Sequence, residues 1–436
     1  MEVVRYLFLF SLIFELEGVA VDSEQKLLFI LVDGLRYDYM DNANTPNLDE
    51  MAKQGVRVNF LTNVFPTMVP SKVSLVTGLY PESHGLVHNT MYDSVHDSYA
   101  MAINRNESYW WNAGISEPIW VTARKQGKIS GSVDYFGGFA EIDGVGANNF
   151  TDNRFANLST KMNIAIDWLN KGTDVVVLEW KRLDLIAHFS GPNSTDIKDN
   201  CEEFDRNIGY LREQIRKLKL QDELNIIIAG DHGITEISNK NVINLSDFIN
   251  LDDTLAYIAD SPVAMILPKD GFLESMYSKL VNAHPNMKVY KKEDVPEYYH
   301  YRGHYRILPI VAIADLPWMI LANGTDVGDH LADHGFDNQE LSMKSMMLAE
   351  GPSFKTNFTI DSLNAIDMYE LMCSILHLKA APNNGSLSNI KDILSYSVSS
   401  AADRHKDDDD TSAASVSTIL TLMYPVLFML FFLLNN

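Results

Sequence analysis

Cysteine is almost absent: Cys201 and Cys373 are the only two in 436 residues. They allow one disulfide at most, and their spacing does not say whether they pair. A small loop-rich scaffold held by bridges is therefore excluded, and the fold has to rest on an apolar core. Basic residues are scarce as well, with 35 Lys and Arg against 58 Asp and Glu and a formal net charge of −23. That balance excludes a nucleic-acid polymer as partner, because gripping a phosphate backbone takes clustered Lys and Arg. A small phosphate-bearing substrate stays open, since bound divalent cations reverse the local field. Internal repeats are lacking, and the run Asp407 to Asp410 marks the one low-complexity stretch. Apolar residues are plentiful at 46%, enough for a large core. The length suits two or three average domains or one large α/β enzyme.

Hydrophobic runs long enough to concern a membrane occur only at the ends. Arg5 precedes the apolar stretch Tyr6 to Phe14, and small residues follow at Gly18-Val19-Ala20. This is the grammar of a cleaved signal peptide over residues 1–20, too short to span a bilayer comfortably. At the other end, Ser400-Ala401-Ala402, a polar spacer and the tail Ile419 to Leu434 follow the pattern of a GPI-anchor signal. A single membrane span is the alternative, though the tail carries no cytoplasmic Lys or Arg. The expected organisation is a signal peptide (1–20), a folded domain (21–400) and an acidic spacer with membrane-anchor signal (401–436). Asn-x-Ser/Thr sequons at Asn106, Asn149, Asn157, Asn193, Asn244, Asn323, Asn357 and Asn384 fit a glycoprotein on the extracellular face of the plasma membrane.

Between the ends, three continuous apolar runs read as buried strands of a mostly parallel sheet: Lys26 to Asp33, Asp174 to Leu178, and Asn225 to Asp231. Helical periodicity separates them. Thr45 can cap a helix with Pro46 in its first turn and Gly55 past its end. Met162, Ala165, Ile166 and Leu169 share one helical face, as do Phe204, Ile208, Leu211, Ile215 and Leu218. Alternating strands and amphipathic helices give an α/β fold with a central sheet flanked by helices. Ligands in such sheets bind beyond the carboxyl ends of the strands, where Asp33 and Asp231 fall.

Metal-ligating residue types recur in four segments: Asp33; Asp184 with His188; Asp231 with His232; and His334. The i, i+4 spacing of Asp184 and His188 puts both on one face if that turn is helical. Carboxylate oxygen with imidazole nitrogen suits zinc better than manganese or iron. Each piece alone is weak, since a strand-end Asp is often a turn former or a cap. His304 reads as a partly buried structural histidine.

From about Lys26 to Leu394 the chain resembles the nucleotide pyrophosphatase/phosphodiesterase family of the alkaline phosphatase superfamily. The resemblance rests on ordered pieces: Val32-Asp33-Gly34-Leu35-Arg36, Thr77-Gly78-Leu79-Tyr80-Pro81-Glu82-Ser83-His84-Gly85, Asn89-Thr90-Met91-Tyr92-Asp93, Asp231-His232-Gly233 and His334-Gly335-Phe336-Asp337-Asn338. It implies an alkaline phosphatase-like fold and a short member consisting of the catalytic domain alone. It also implies two zinc ions, one held by Asp184, His188 and His334 and the other by Asp33, Asp231 and His232. Asn89 matches the asparagine that helps hold a phosphate oxygen. The implied activity is metal-dependent cleavage of nucleotide phosphodiester or pyrophosphate bonds. Choline phosphoesters are an alternative substrate class.

One segment departs from the family. Its members attack phosphorus with a Thr or Ser hydroxyl, whereas this chain reads Phe65-Pro66-Thr67-Met68-Val69-Pro70-Ser71-Lys72, one residue short. Counting from either side puts the nucleophile at Met68 or Val69, and neither has a hydroxyl. Thr67 could slide into the place, and Ser71 is a poorer substitute. A metal-activated water could attack directly, or the protein could be a surface binding protein without turnover. Thr67 is the candidate nucleophile. Leu183 and Ile186-Ala187 replace the family's Pro and Ser-Gly around Asp184 and His188, and could narrow or dry the pocket. Trp110, Trp111 and Tyr135 could stack on a base, although aromatic residues are more often core.

Overall fold

A strand that is apolar at every position must be covered on both faces, and the longest such runs form the middle of the sheet. The structure, a computed structural model, describes residues 25–101, 108–111, 116–153, 155–324 and 326–396. Its main sheet is built from β1 (Lys26–Val32), β2 (Val56–Thr62), β3 (Ser130–Val133), β4 (Asn149–Thr151), β5 (Val175–Trp180), β6 (Leu224–Gly230), β7 (Ser345–Glu350) and β8 (Phe358–Asn364). The spatial order is β8-β2-β7-β6-β1-β5-β3-β4. Only β7 runs against its neighbours; the other pairings are parallel. The expected mostly parallel α/β architecture is present.

Helices cover both faces. The labelled ones are α1 (Pro46–Gln54), α2 (Val69–Thr77), α3 (Leu158–Asn170), α4 (Arg182–Ser190), α5 (Thr195–Leu218) and α6 (Asp367–Ile375). Strand alternation sends Leu28, Ile30 and Val32 into one cluster with Met162, Ala165, Ile166 and Leu169 of α3 and Phe204, Ile208, Leu211 and Ile215 of α5. Leu218 departs from the expected stripe and is 38% exposed, at the point where α5 ends on the left-handed Lys219. On the opposite face Phe29 meets Tyr135, and α2 is buried along its whole length. Cys201 on α5 and Cys373 on α6 are separate buried thiols; burial raises the Cys201 thiol to about 12.

Two details of the sequence reading change. Helix α1 starts as expected, but Thr45 gives it no side-chain cap; its hydroxyl donates to Met40 O at 3.3 Å. The cap comes instead from Asp205 on α5, which accepts the N–H groups of Asn47 at 2.8 Å and Leu48 at 2.9 Å. A second lobe was also unforeseen. There, Thr254–Ile258, Val263–Pro268, Ile310–Ala314 and Met287–Lys291 form an antiparallel sheet with its own core under helix Leu273–Leu280.

One compact unit extends to Ile393, and a second begins at Leu394. The expected signal peptide and anchor tail lie outside the described residues, as does Asn106. Among the described residues no helix is long and apolar enough to cross a membrane. Of the described sequons, Asn157, Asn193, Asn323, Asn357 and Asn384 are exposed, and Asn149 and Asn244 are half-buried.

Candidate metal centre

Strand register assembles the first half of the site. Val32 of β1 stands opposite Trp180 of β5 and Gly230 of β6, so the three strands end level. One step beyond, Asp33 and Asp231-His232 lie side by side. Gly34 permits the tight exit from β1: its φ is +72°, and a Cβ there would come within 2.9 Å of Asp184 Cα. Its N–H donates to Asp231 Oδ1 at 3.1 Å. Helix α4 carries Asp184 and His188 one turn apart, as their spacing predicts. His334 arrives after Ala332–Asp333, a short strand paired antiparallel with Thr235–Glu236 just past His232.

Every histidine of the cluster is oriented by its outer nitrogen. Nδ1 of His188 donates to Ala332 O at 2.7 Å, that of His232 to Gly233 O at 2.8 Å, and that of His334 to Thr67 O at 2.9 Å. A carbonyl can only accept, so the Nδ1 atoms carry protons and the Nε2 atoms turn inward, as in ligating histidines. Nε2 of His232 is 3.4 Å from Asp33 Oδ1 and 3.5 Å from Asp231 Oδ2. Nε2 of His188 and His334 lie 3.4 and 3.7 Å from Asp184 Oδ1. Those same three carboxylate oxygens are buried without a hydrogen-bond partner. Buried orphans of this kind are costly unless something satisfies them, and a divalent cation does so. Donor chemistry, burial and convergence all fit a metal.

The six candidate residues come close together, in groups of which only Asp33–Asp231–His232 matches the expected division between two ions. Ligand atoms within 4.8 Å of one another form the groups Asp33–Asp231–His232, Asp184–His232–His334 and His188–Asp333–His334. Asp333, which the sequence reading did not single out, lies within the same reach. Its neighbour His334 was the available signal, and its Oδ1 accepts the His334 N–H at 2.7 Å.

Burial would raise Asp33, but the Lys72 ammonium and then His232 hold it well below the usual carboxylate range. Burial and the charge of Asp33 push Asp231 up to about 7. His188 and His232 resist burial because Asp184 and Asp231 respectively raise them, to about 10 and about 9. Burial and the charge of His232 hold His334 well below the usual imidazole range.

The segment before α2 lies against this cluster. Met68 is the N-cap, is 1% exposed, and its methyl lies where a Cβ on Gly335 would be, 2.2 Å from that position. With φ at +102°, Gly335 is open to glycine alone. The Thr67 hydroxyl is fully buried, accepts the Gly335 N–H at 3.0 Å and donates to Phe336 O at 3.3 Å. The candidate nucleophile thus holds the His334 loop, and its hydroxyl also lies 3.3 Å from Met343 Sδ, a second acceptor for its one proton. Asn89 Oδ1 accepts the Val69 N–H at 3.0 Å, which sets the asparagine amide beside the N-terminus of α2.

A family model described as type I phosphodiesterase / nucleotide pyrophosphatase matches residues 27–337. The chain belongs to this family. It is 37% identical over 378 residues to human ectonucleotide pyrophosphatase/phosphodiesterase family member 5, covering 85% of this chain and 78% of that protein. A bis(5'-adenosyl)-triphosphatase of Xenopus laevis is 38% identical over 378 residues, covering 85% and 82%. Murine member 5, solved as an inactive threonine-to-alanine variant in complex with AMP, superposes with a TM-score of 0.81 at 37% identity, covering 85% of this chain and 100% of that one. The expected alkaline phosphatase-like fold and the assignment as a hydrolase of this type stand on those matches.

Within the family frame, the apolar replacements near Asp184 point to the core rather than the pocket. Leu183 and Ala187 are fully buried in the main cluster, with Ile186 packed against it. Trp110, Trp111 and Tyr135 are buried too, so none offers a face to a base. His304 is structural: its Nδ1 accepts the Arg306 N–H at 3.2 Å.

Proposed function

We propose that this protein is a metal-dependent hydrolase of nucleotide phosphodiester or pyrophosphate bonds. In this reading Asp184, His188 and His334 hold one zinc ion and Asp33, Asp231 and His232 a second. The observation that carries it is the convergence of three inward-turned Nε2 atoms on three orphaned carboxylate oxygens. Zinc bound there supplies Lewis acidity at the phosphoryl oxygens. Nucleotides are favoured as substrates because the similar proteins are described by nucleotide chemistry and one holds AMP.

The chain's own residues do the rest. Asn89 is placed beside the first turn of α2, where its amide can hold a phosphate oxygen. The attacking oxygen is proposed to be that of water. Met68 has no hydroxyl, and Thr67 would have to leave both the Gly335 N–H and the Phe336 carbonyl before it could attack. A second reading, nucleotide capture without turnover, draws its support from the same Met68. Secretion and a lipid anchor on the extracellular face complete the proposal; release of the protein from cells by a phosphatidylinositol-specific phospholipase would test the anchor.

The deciding experiment assays the purified chain on a chromogenic nucleotide phosphodiester, with and without zinc, beside Asp231→Asn. Zinc-dependent turnover absent from Asp231→Asn supports the hydrolase. AMP binding with turnover no higher than in Asp231→Asn supports capture instead.

A further inference from the structure

Helix α2 brings a lysine into the floor of the metal centre. Lys72 is 5% exposed, and its Nζ donates to Asp33 Oδ2 at 2.5 Å and to Glu179 Oε1 at 2.8 Å; Asp231 Oδ2 lies 3.6 Å away. The helix is fixed there by Tyr135, whose hydroxyl donates to Lys72 O at 2.7 Å. Glu179, the penultimate residue of β5, is fully buried. Its other oxygen accepts the Phe136 N–H at 2.7 Å, and Lys181 approaches Oε1 from the rim at 3.4 Å. Among the described residues Glu179 belongs to none of the convergent ligand groups, and Lys72 is the nearer of its two cations.

The consequence is unequal for the two metal positions. Asp33 and Asp231 are both ligands of one position, and both have an oxygen within ion-pair reach of the ammonium. Asp33 offers Oδ2 to Lys72 and keeps only Oδ1 for a metal. Asp184, His188 and His334 have no ion pair with Lys72 among the described residues. A cation in direct contact with a shared ligand opposes a second cation on that ligand, most strongly where the surroundings are dry.

We propose that Lys72 is a tethered cation built into the site, which shares Asp33 with the metal and makes Asp33–Asp231–His232 the weaker of two unequal positions. Lys72 is a positioning residue in this scheme and touches no substrate. The inference rests on the two-metal reading above.

Equilibrium competition for zinc against a chromophoric chelator, with bound metal counted directly, reads it without reference to activity. The full chain is expected to bind two zinc ions in two affinity classes. Lys72→Met should tighten the weaker class by about 10-fold or more, the scale on which neighbours of ligands act, and leave the tighter class within about 2-fold. Because Lys72→Met strands Glu179 in the core, the volume-matched pair Lys72→Met/Glu179→Met is made beside it, and such replacements of buried ion pairs keep proteins folded. Lys72→Arg should keep the wild-type inequality. In whichever methionine variant folds, an unchanged or loosened weaker class, or an equal shift in both classes, overturns the inference. A wild-type chain that binds no zinc overturns the two-metal reading with it, whereas two bound ions with unaltered variants overturn this inference alone.

Discussion

Thr67 and His334 are joined through the main chain: the Thr67 carbonyl accepts from His334 Nδ1 at 2.9 Å, which aims Nε2 at Asp184. The threonine side chain secures the same loop by accepting the Gly335 N–H. Thr67→Val keeps the shape and removes the hydroxyl, leaving that buried N–H unpaired, at a cost of about 1–3 kcal/mol. Urea unfolding should register the loss, while turnover per zinc-loaded molecule falls by less than about 10-fold. A drop of several orders of magnitude with the fold intact would restore Thr67 as the nucleophile.

Met68 gives the converse experiment. It sits at the N-cap of α2, at the position reached by counting back from Thr77-Gly78 to the family's nucleophile. Met68→Thr supplies a hydroxyl and a better capping side chain, while removing core volume at a cost of about 2 kcal/mol or more. The expected outcome is a rise in turnover of at least about 10-fold, with configuration at a chiral phosphorus changing from inversion in the wild type to retention. An unaltered rate with continued inversion would mean the α2 N-terminus does not present that hydroxyl to phosphorus.

Residue chemistry explains why some of this was legible in the sequence and some was not. Asp33 and Asp231 announce themselves because each directly follows a run of buried apolar residues at the end of a parallel strand. The spacing of Asp184 and His188 puts them on one helical face, but it is the family resemblance that implies them as ligands. Lys72 and Glu179 give no such sign. A lysine within Val69-Pro70-Ser71-Lys72-Val73 reads as the solvent side of a helix, and only the packing of α2 buries it against β5. Thr45 misled for a related reason, since the acceptor that caps α1 is Asp205, a residue distant in the chain. The hydroxyl of Thr67 has the right chemistry for attack, but its bonding partners lie in a loop more than two hundred residues away.

Proton release should accompany metal binding. Without metal, Asp184 raises His188 to about 10 and Asp231 raises His232 to about 9, each against burial, so both imidazoles are charged at pH 7. Ligation needs the neutral rings and the ionised Asp231, itself raised to about 7, so between roughly two and three protons should appear per fully loaded molecule at pH 7 in weakly buffered solution. The sign for the metal-free fold follows from the same shifts. Both histidines bind protons more tightly folded than unfolded, so their stabilisation is complete below about pH 6.5 and is lost as pH rises through 9 and 10. Asp231, raised to about 7 by burial and Asp33, adds a loss of the same sign at lower pH. The melting temperature of the metal-free protein should fall steadily from pH 6 to pH 9.5, and that of the zinc-loaded protein much less. A metal-free protein that gains stability over that range would contradict the assigned charges.

Arg306 and Asp93 form a buried ion pair away from the metal centre. The guanidinium and the carboxylate are both fully buried, with Nε 2.9 Å from Oδ2. The other donors reach the carbonyls of Gly85, Trp110 and Tyr109 at 2.9, 3.0 and 3.0 Å, and the group lies 4.6 Å above the Trp110 ring. Burial works to raise Asp93, but bonds from Tyr305, Arg306 and His96 hold it far below the carboxylate norm. Arg306→Met takes the cationic partner from that buried carboxylate, which keeps its bonds from Tyr305 and His96, and leaves three carbonyls without their donor, so the loss should be about 3–5 kcal/mol. Asp93→Asn should cost less, because the amide oxygen still accepts from Tyr305 and the guanidinium keeps its carbonyls. In the double variant the stranded charge disappears, and the combined loss should fall short of the sum of the two single losses by at least about 1 kcal/mol. Strict additivity in a double-mutant cycle measured by urea unfolding would mean that the pair is held by its separate backbone contacts and not by its own attraction.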